Sequence, residues 1–255
     1  MLTYTFWNIR QYGLYGIAHN GEYPLVPFLL ILLGCAVAAY LLGSLNFAVI
    51  LSRRVYHEDI RKRGSGNGGM TNMMRSYGKK AAALTLLLDA LKAVLAVGIG
   101  ALVAGEAGGY IAGLGCVLGH VFPLYFHFRG GKGVVVTAAM ILCLEPVAFL
   151  ILFLLFVAIV LMTRYISLGS VMCMLVYPLF LNRLYASLHH QPPGATVTLV
   201  SFAVAVLVIF LHRSNIRRLM NGEENKFSFK KSVKAGEQKD NGSETEEDHR
   251  GADKK

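Results

Sequence analysis

Residues 134–163 read VVVTAAMILCLEPVAFLILFLLFVAIVLMT, and this stretch decides how many times the chain crosses a membrane. The run 147–163 is long enough to span a bilayer. The preceding run 134–145 covers only about 18 Å at about 1.5 Å per residue, whereas the hydrocarbon core is about 30 Å thick. Glu145-Pro146 then interrupts the apolar sequence. We interpret 134–145 as a short crossing stretched by its flanks, or as a half-helix.

Longer apolar runs lie on both sides of this stretch. The chain is 55% hydrophobic and 16% charged, with a mean hydropathy of +0.50, and a soluble domain of this composition would lack the polar surface that keeps it dissolved. The sequence therefore predicts an all-α, polytopic membrane protein. Together with 134–145, the predicted spans are 25–52, 81–104, 108–126, 147–163, 168–187 and 195–212.

The distribution of Lys and Arg favours seven spans. If 134–145 crosses, the segments on one side include 53–80 with eight Lys and Arg, 127–133 with two and 164–167 with one. Since positive loops face the cytoplasm, this side is cytoplasmic, with the N-terminus outside and the C-terminus inside. Six spans would move 164–167 outward and separate it from the other glycine-rich loops.

The two ends of the chain differ in composition from the apolar middle. Residues 1–23 are rich in Tyr and include a Trp, which predicts an interfacial extension. Residues 221–255 are polar and of mixed charge, which predicts a disordered cytoplasmic tail. The net charge of +10 could suit nucleic acid, but the Lys and Arg lie between apolar runs or in the tail. We therefore expect no nucleic-acid partner.

The first cytoplasmic loop is rich in glycine and reads GSGNGGMTNMMR over residues 64–75. Its GxGxxG spacing is not a dinucleotide fingerprint, because no strand precedes it and no acidic residue follows at the required distance. The glycines nevertheless allow backbone N–H groups to converge on an anion. Neutral polar groups and one Arg suited to phosphate surround them. These residues are Ser65, Asn67, Thr71, Asn72 and Arg75.

The second glycine-rich loop places a lysine between glycines. Residues 128–133 read FRGGKG, which fails the spacing of a P-loop because Gly133 directly follows Lys132. Glycines and a lysine at a helix start still supply N–H donors and a point charge for phosphate. His120, in the preceding span, is interpreted as a helix-packing donor, with a role as a base as the alternative.

Two shorter motifs and one intramembrane pair complete the polar inventory. RYISLGS at 164–170 and HRSNIRR at 212–218 close or open spans on the cytoplasmic side. Asp89 and Lys92 share one helix face, where they either support the fold or line the site. Neither a ligand-spaced His, Asp or Glu group nor a cofactor motif is present, so we expect no metal and no cofactor. Together the loops predict an anionic substrate.

These motifs resemble those of the bacterial acyl-phosphate:glycerol-3-phosphate acyltransferases of the PlsY family. The resemblance lies in SGNGGMTN at 65–72, GHVFPLYFHFRGGKG at 119–133, RYISLGS at 164–170 and HRSNIRRL at 212–219, in the family's order. It covers roughly residues 36–227. Met70 stands where the family usually has Ala, which affects the expected width of the site there.

The resemblance implies a function and a set of site residues. The expected reaction transfers an acyl group from acyl phosphate to the 1-hydroxyl of sn-glycerol 3-phosphate, in a bacterial inner membrane, with 24–220 as the acyltransferase domain. The alternative is a transporter of an organophosphate. The catalytic residues implied are Ser65, Arg75, Lys132, Ser170, His212 and Asn215, and the substrate-binding residues implied are Asn67, Gly69, Thr71, Asn72, Gly131 and Gly133.

The topology can be tested with single cysteines at Ser76 and Gln191, in a chain whose four natural cysteines have been replaced. Seven spans place these positions on opposite sides of the membrane, so a membrane-impermeant thiol reagent should label them from opposite faces. Labelling of both positions from the same face would exclude the seven-span topology.

Overall fold

The computed structural model describes residues 2–20 and 22–227, and this part of the chain is helical without a β-strand. The all-α class is thereby confirmed for these residues. The helices are α1 (Leu2–Ala18), α2 (Leu25–Gly43), α3 (Phe47–Val55), α4 (Met70–Tyr77), α5 (Lys79–Val121), α6 (Val134–Leu144), α7 (Pro146–Thr163), α8 (Ile166–His189), α9 (Ala195–Leu211) and α10 (Arg213–Met220).

Several of these helices are long and apolar enough to cross a membrane. Among the described residues four stretches qualify, namely α2 with α3, α5 with the turn after it, α7 and α8. A fifth is the pair α9 and α10, which is bent by 54°. The predicted short run is helix α6, which has only 11 residues and ends at Leu144.

The long helix α5 folds back on itself. Its backbone leaves the helical region at Ala104 and Gly105, and Gly105 has φ +61° and ψ −149°, a combination that glycine adopts readily and other residues rarely do. Beyond this turn Gly108 packs against Gly100, so closely that a Cβ on either glycine would collide with the other's carbonyl oxygen. The two halves of α5 therefore run as an antiparallel hairpin, as the separate runs 81–104 and 108–126 predict.

The predicted span 25–52 lies within Leu25–Val55, which qualifies as one candidate span, and inside it the chain breaks between α2 and α3. The Asn46 side chain caps α3 by accepting a hydrogen bond from the Val49 N–H at 3.0 Å, and this N–H would otherwise bond to the Leu45 carbonyl. The predicted run 108–126 is also shorter in the structure. Its helix ends at Val121, and a separate 3-10 turn covers Leu124–Phe126.

Helix α2 packs against the second half of α5 through glycines. Gly115 and Gly119 lie one turn apart and approach the carbonyl oxygens of Ala36 and Tyr40, so that neither position has room for a Cβ. Such close contact between helix backbones is the usual means of association in lipid, where burying apolar surface gains little. The main core continues from α5 into α6, α8 and α9.

Parts of both terminal segments have a defined structure. The 1–23 extension includes α1, which packs on the hairpin turn of α5 through Gly13 and Gly105. Arg10 Nη2 donates to the Leu144 carbonyl at 2.9 Å and so caps the short helix α6. At the other end, residues 221–227 follow α10 as an ordered segment. The rest of the predicted tail, 228–255, lies outside the described residues.

The hairpin turn of α5 requires glycine at position 105, and this requirement can be tested. Gly105→Ala places a Cβ at a positive φ and against the backbone of Gln11 and Tyr12, so we expect a destabilisation of about 1–3 kcal/mol or more from backbone strain and the clash. Thermal unfolding of the detergent-solubilised protein measures this change.

Gly98→Ala is the matched control for Gly105→Ala. Gly98 lies in the same helix, and a Cβ there meets nothing within 4 Å, so the substitution should be neutral or slightly stabilising. Equal melting temperatures for the two variants would contradict the strained turn.

Candidate active site

The polar motifs meet at one end of the helix bundle, around a cavity of about 440 Å³. Eleven of the twelve site residues expected from the sequence line this cavity, although they come from four separate segments. These eleven are Ser65, Asn67, Gly69, Thr71, Asn72, Arg75, Lys132, Gly133, Ser170, His212 and Asn215.

The first glycine-rich loop is held by two buried asparagines. Asn72 Nδ2 donates to the carbonyls of Ile60, Arg63 and Asn67 at 3.0–3.1 Å, and its Oδ1 accepts the Ser65 N–H at 3.0 Å. The amide of Asn72, 1% exposed, is therefore committed to shaping the loop, whereas the sequence suggested that it binds substrate. Asn46 Nδ2 anchors the loop's far side by donating to the Gly68 carbonyl at 3.0 Å.

The second glycine-rich loop folds back onto the end of α5 and against the first loop. The N–H groups of Gly130 and Gly131 donate to the carbonyls of Val121 and His120, and the Gly68 N–H donates to the Gly130 carbonyl at 3.3 Å. Gly131 is the expected site residue that does not line the cavity. Because its N–H already donates to His120, it is not a free donor for an anion.

Lys132 and Gly133 stand at the start of α6 and line the cavity. Gly133 has φ +78° and serves as the N-cap, which turns the chain from the loop into the helix. Burial lowers the pKa of Lys132 to about 8, and the nearby Arg218 adds to this effect while Glu224 opposes it. A bound anion would offset that burial by pairing with the ammonium group.

A chain of hydrogen bonds links Lys132 to the segment after α10. Lys132 Nζ donates to Asn215 Oδ1, and Asn215 Nδ2 donates to Glu224 Oε1 at 2.8 Å. Ser167 Oγ donates to the same Glu224 oxygen at 2.9 Å, and Arg218 Nε pairs with the other oxygen at 2.8 Å. Glu224 thus orients the amide that accepts from Lys132.

Glu224 is a site residue that the sequence reasoning missed, since it was assigned to the disordered tail. Its side chain is only 4% exposed. Burial raises its pKa, but hydrogen bonds from Asn215, Arg218 and Ser167 outweigh burial and leave the pKa below the usual value. The signal was present in the sequence, because no acidic residue occurs between Glu145 and Glu223-Glu224, which directly follow a cationic motif. Ser167 and Arg218 were missed as well.

His212 and Ser170 also line the cavity. His212 Nδ1 lies 2.7 Å from the Val208 carbonyl, which can only accept. The ring proton is therefore on Nδ1, and Nε2 carries a free lone pair. Ser170 Oγ donates to the Ile166 carbonyl at 3.0 Å and keeps its own lone pairs for a ligand.

Ser65 and Arg75 belong to the exposed rim of the cavity. Desolvation lowers the pKa of Arg75, with Glu224 acting in the opposite direction and Arg218 in the same direction. A guanidinium remains charged under all ordinary conditions, so Arg75 adds a permanent cation near Lys132 and Arg218.

The other half of the cavity is apolar and runs between α6, α7 and α8. Val134 and Leu142, at opposite ends of its α6 wall, are eight residues apart, which corresponds to about 12 Å of helix. Further apolar side chains complete the walls. They are Leu86, Ala90, Val135, Ala138, Ala139, Ile141, Phe149, Leu152, Phe153, Phe156, Ile166, Cys173, Met174 and Val208. One cavity therefore combines a cationic head with an apolar slot, which fits an amphiphilic anion.

Comparison with known proteins agrees with this arrangement. The sequence model of the family described as "Glycerol-3-phosphate acyltransferase" matches residues 33–222. The chain belongs to this family. A relative named "Glycerol-3-phosphate acyltransferase" from Thermoanaerobacter pseudethanolicus is 40% identical over 199 residues, which cover 78% of this chain and 97% of the relative.

Two solved structures of PlsY, described as an integral membrane glycerol 3-phosphate acyltransferase, have similar folds. The glycerol 3-phosphate form has a TM-score of 0.70 and 34% identity, covering 77% of this chain and 96% of that one. The lysophosphatidic acid form has a TM-score of 0.67 and 33% identity, covering 78% and 96%. The present chain is accordingly a multi-pass membrane acyltransferase.

Glu224→Gln tests the hydrogen-bond chain in the acyltransferase. The substitution removes the charge while keeping the shape, and charge-assisted hydrogen bonds contribute about 1.5–3 kcal/mol each. We expect a lower melting temperature at neutral pH and a loss of acyltransferase activity of about tenfold or more. Because the native pKa is lowered, the difference from the wild type should shrink as the pH falls through that pKa.

Glu223→Gln serves as the neighbouring control, since Glu223 is exposed and does not line the cavity. If Glu224→Gln matched Glu223→Gln in melting temperature and activity, Glu224 would have no role in holding Asn215.

Proposed function

We propose that this chain transfers an acyl group from an acyl phosphate to the 1-hydroxyl of sn-glycerol 3-phosphate. The products are 1-acyl-glycerol 3-phosphate (lysophosphatidate) and inorganic phosphate. The observation that carries the proposal is the single cavity that joins a cluster of cations to an apolar slot. The two similar structures are a glycerol 3-phosphate form and a lysophosphatidic acid form, and this supports the same acceptor and product for the present chain.

The apolar slot supports a membrane-dissolved donor. Leu142 and Phe153 line the cavity, and they are 45% and 48% exposed. A chain in the slot can therefore continue into the bilayer between α6 and α7. An acyl phosphate fits this arrangement, since its tail stays in lipid while its phosphate reaches the polar end near Ser65 and Arg75.

The second phosphate, that of glycerol 3-phosphate, is assigned to Lys132. This lysine and the first N–H groups of α6 form a cationic, dipole-favoured position for an anion. Asn215 holds the lysine from the other side, and Arg218 is near enough to lower the pKa of Lys132. Asn67, Gly69 and Thr71, which line the same cavity, add neutral groups around the donor phosphate.

The proposed chemistry needs little from the protein beyond positioning and a proton acceptor. An acyl phosphate is a mixed anhydride, so the acceptor hydroxyl attacks its carbonyl carbon and the carbon–oxygen bond to phosphate breaks. The hydroxyl proton passes to His212 Nε2, whose lone pair is left free by the hydrogen bond of Nδ1 to Val208. The phosphate of the acceptor itself is the alternative base. Ser170 orients the acceptor.

We also propose seven membrane crossings, with the N-terminus outside and the C-terminus in the cytoplasm of a bacterial inner membrane. The fold-back of α5 divides one long apolar helix into two crossings, and α6 supplies a short one. With α2 and α3 together, α7, α8 and α9, this makes seven. The cavity then opens to the cytoplasm, where glycerol 3-phosphate is soluble.

An organophosphate transporter is the competing function. Transport sites lie near the bilayer midplane between internal repeats, whereas the polar groups here gather at one end of the bundle.

Proteoliposome flux measured beside acyl transfer separates the two functions. Incubation of the purified protein with palmitoyl phosphate and glycerol 3-phosphate should yield lysophosphatidate, and no product from folded protein would refute the proposed reaction.

Lys132→Ala tests the placement of the acceptor phosphate. The substitution removes a charge-assisted contact worth roughly 2–4 kcal/mol of transition-state stabilisation, or about 30- to 700-fold in kcat/KM. The loss should appear as a higher KM for glycerol 3-phosphate. Lys132→Arg should recover little, since the neighbouring glycines leave room for a point charge but not for a planar fork.

In the wild type, kcat/KM should fall as the pH rises through about 8 and Lys132 loses its proton.

Arg129→Ala is the matched control, because Arg129 is exposed, lies in the same loop and does not line the cavity. We expect it to lose less than about tenfold. If Lys132→Ala raised the KM for acyl phosphate alone, the assignment of the two phosphates would be reversed. Equal, mild losses of kcat/KM in Lys132→Ala and Arg129→Ala would mean that the loop is only a membrane anchor.

A further inference from the structure

A buried polar cluster lies beneath the second glycine-rich loop, at the inner edge of the cavity. It consists of Asp89, Lys92 and His120, which are 1%, 2% and 4% exposed. The cluster joins the two halves of the α5 hairpin, because Asp89 and Lys92 stand on the first half and His120 near the end of the second. The reaction proposed above assigns no role to these three residues.

Lys92 is fixed by the break between α2 and α3. Its Nζ donates to the carbonyls of Gly43 at 3.0 Å and Leu45 at 2.7 Å. The Leu45 carbonyl needs this partner, since the Val49 N–H that would reach it in a continuous helix bonds to the Asn46 side chain instead. Nζ also lies 2.8 Å from Asp89 Oδ1, so the charge is paired within the protein.

The position of Lys92 determines where His120 carries its proton. Lys92 Nζ is 3.1 Å from His120 Nδ1, and an ammonium group can only donate. Nδ1 is therefore the acceptor and the ring proton sits on Nε2. Asp89 Oδ1, at 3.6 Å from Nδ1, is too distant to claim a proton there.

His120 Nε2 directs this proton to the Gly-Lys loop. A Cβ at Gly131 would collide with Nε2, so the nitrogen lies directly against this glycine, and His120 lines the cavity. Within residues 2–20 and 22–227, Nε2 makes no hydrogen bond. The backbone at Gly131 offers no hydrogen-bond donor to a ligand, because the Gly131 N–H already donates to the His120 carbonyl.

We propose that His120 binds the phosphate held at Lys132, with Nε2–H as a neutral hydrogen-bond donor, and that Lys92, whose charge is paired by Asp89, is the positioning residue that maintains this tautomer. The imidazole replaces the donor that Gly131 cannot supply. This inference rests on the proposed placement of glycerol 3-phosphate at Lys132. His120 and His212 then have opposite roles, one donating from Nε2 and the other accepting at Nε2.

Two substitutions separate the donor from simple packing. His120→Gln keeps an amide N–H near the position of Nε2, whereas His120→Asn is shorter and reaches only the position of Nδ1. A hydrogen bond to a charged group corresponds to about tenfold or more in affinity. We expect His120→Asn to raise the KM for glycerol 3-phosphate by about tenfold or more, with little change in kcat or in the KM for acyl phosphate. His120→Gln should recover most of that loss.

His127→Asn is the control substitution, since His127 is exposed, does not line the cavity and has φ +56°, a conformation that Asn tolerates. Its KM values should match those of the wild type. Lys92→Met keeps the length of the side chain but removes the donor to Nδ1, so it should raise the KM for glycerol 3-phosphate in the same way as His120→Asn.

Nitrogen NMR of histidine-labelled wild-type protein gives a readout that does not depend on any variant folding. The His120 resonances should show a protonated Nε2 and an unprotonated Nδ1. Three results would each overturn the inference. They are a proton on Nδ1 of His120, equal KM values for His120→Gln and His120→Asn, and a KM change in His120→Asn that is confined to acyl phosphate. If the wild type forms no lysophosphatidate from acyl phosphate and glycerol 3-phosphate, the proposed function fails; a normal wild type without the expected KM difference refutes only the role of His120.

Discussion

Every backbone N–H and carbonyl that a broken helix leaves unpaired must find a partner inside this protein, because lipid offers none. This constraint accounts for several of the buried polar side chains. At the break between α2 and α3, Asn46 takes one orphan group and Lys92 takes two. The irregular backbone is concentrated at the end of the bundle where the cavity lies, so the groups that satisfy it also shape the site.

The two glycine-rich loops show how the hydrogen bonds that pair these backbone groups also shape a binding surface. Asn72 uses its whole amide to hold the first loop, and the second loop bonds to the end of its own helix through Gly130 and Gly131. With these groups spent, the donors that remain at the cavity are the helix starts of α4 and α6 and a few side chains. The site therefore offers an anion fewer hydrogen-bond donors than a glycine-rich composition suggests.

The cavity also explains why a short helix is retained in a membrane protein. Helix α6 begins at the Gly-Lys loop and ends after 11 residues, with Arg10 capping its last carbonyl. It carries the phosphate-binding end at its N-terminus and the wall of the apolar slot along its side. One element thus brings the cationic head and the apolar slot into register, which a substrate with a charged head and a long tail requires.

Apolar runs in the sequence predicted the helical class and the approximate spans, and the resemblance of four motifs to the PlsY family implied eleven of the cavity-lining residues. Both kinds of signal are local in the chain, so the sequence by itself carries them. The tertiary structure decided what depends on contacts between distant segments. It assigned the Gly131 N–H to the His120 carbonyl, gave the amide of Asn72 to the loop, and brought Glu224 from beyond α10 to Ser167 and Asn215. Such pairings join residues far apart in the chain, so no local pattern records them.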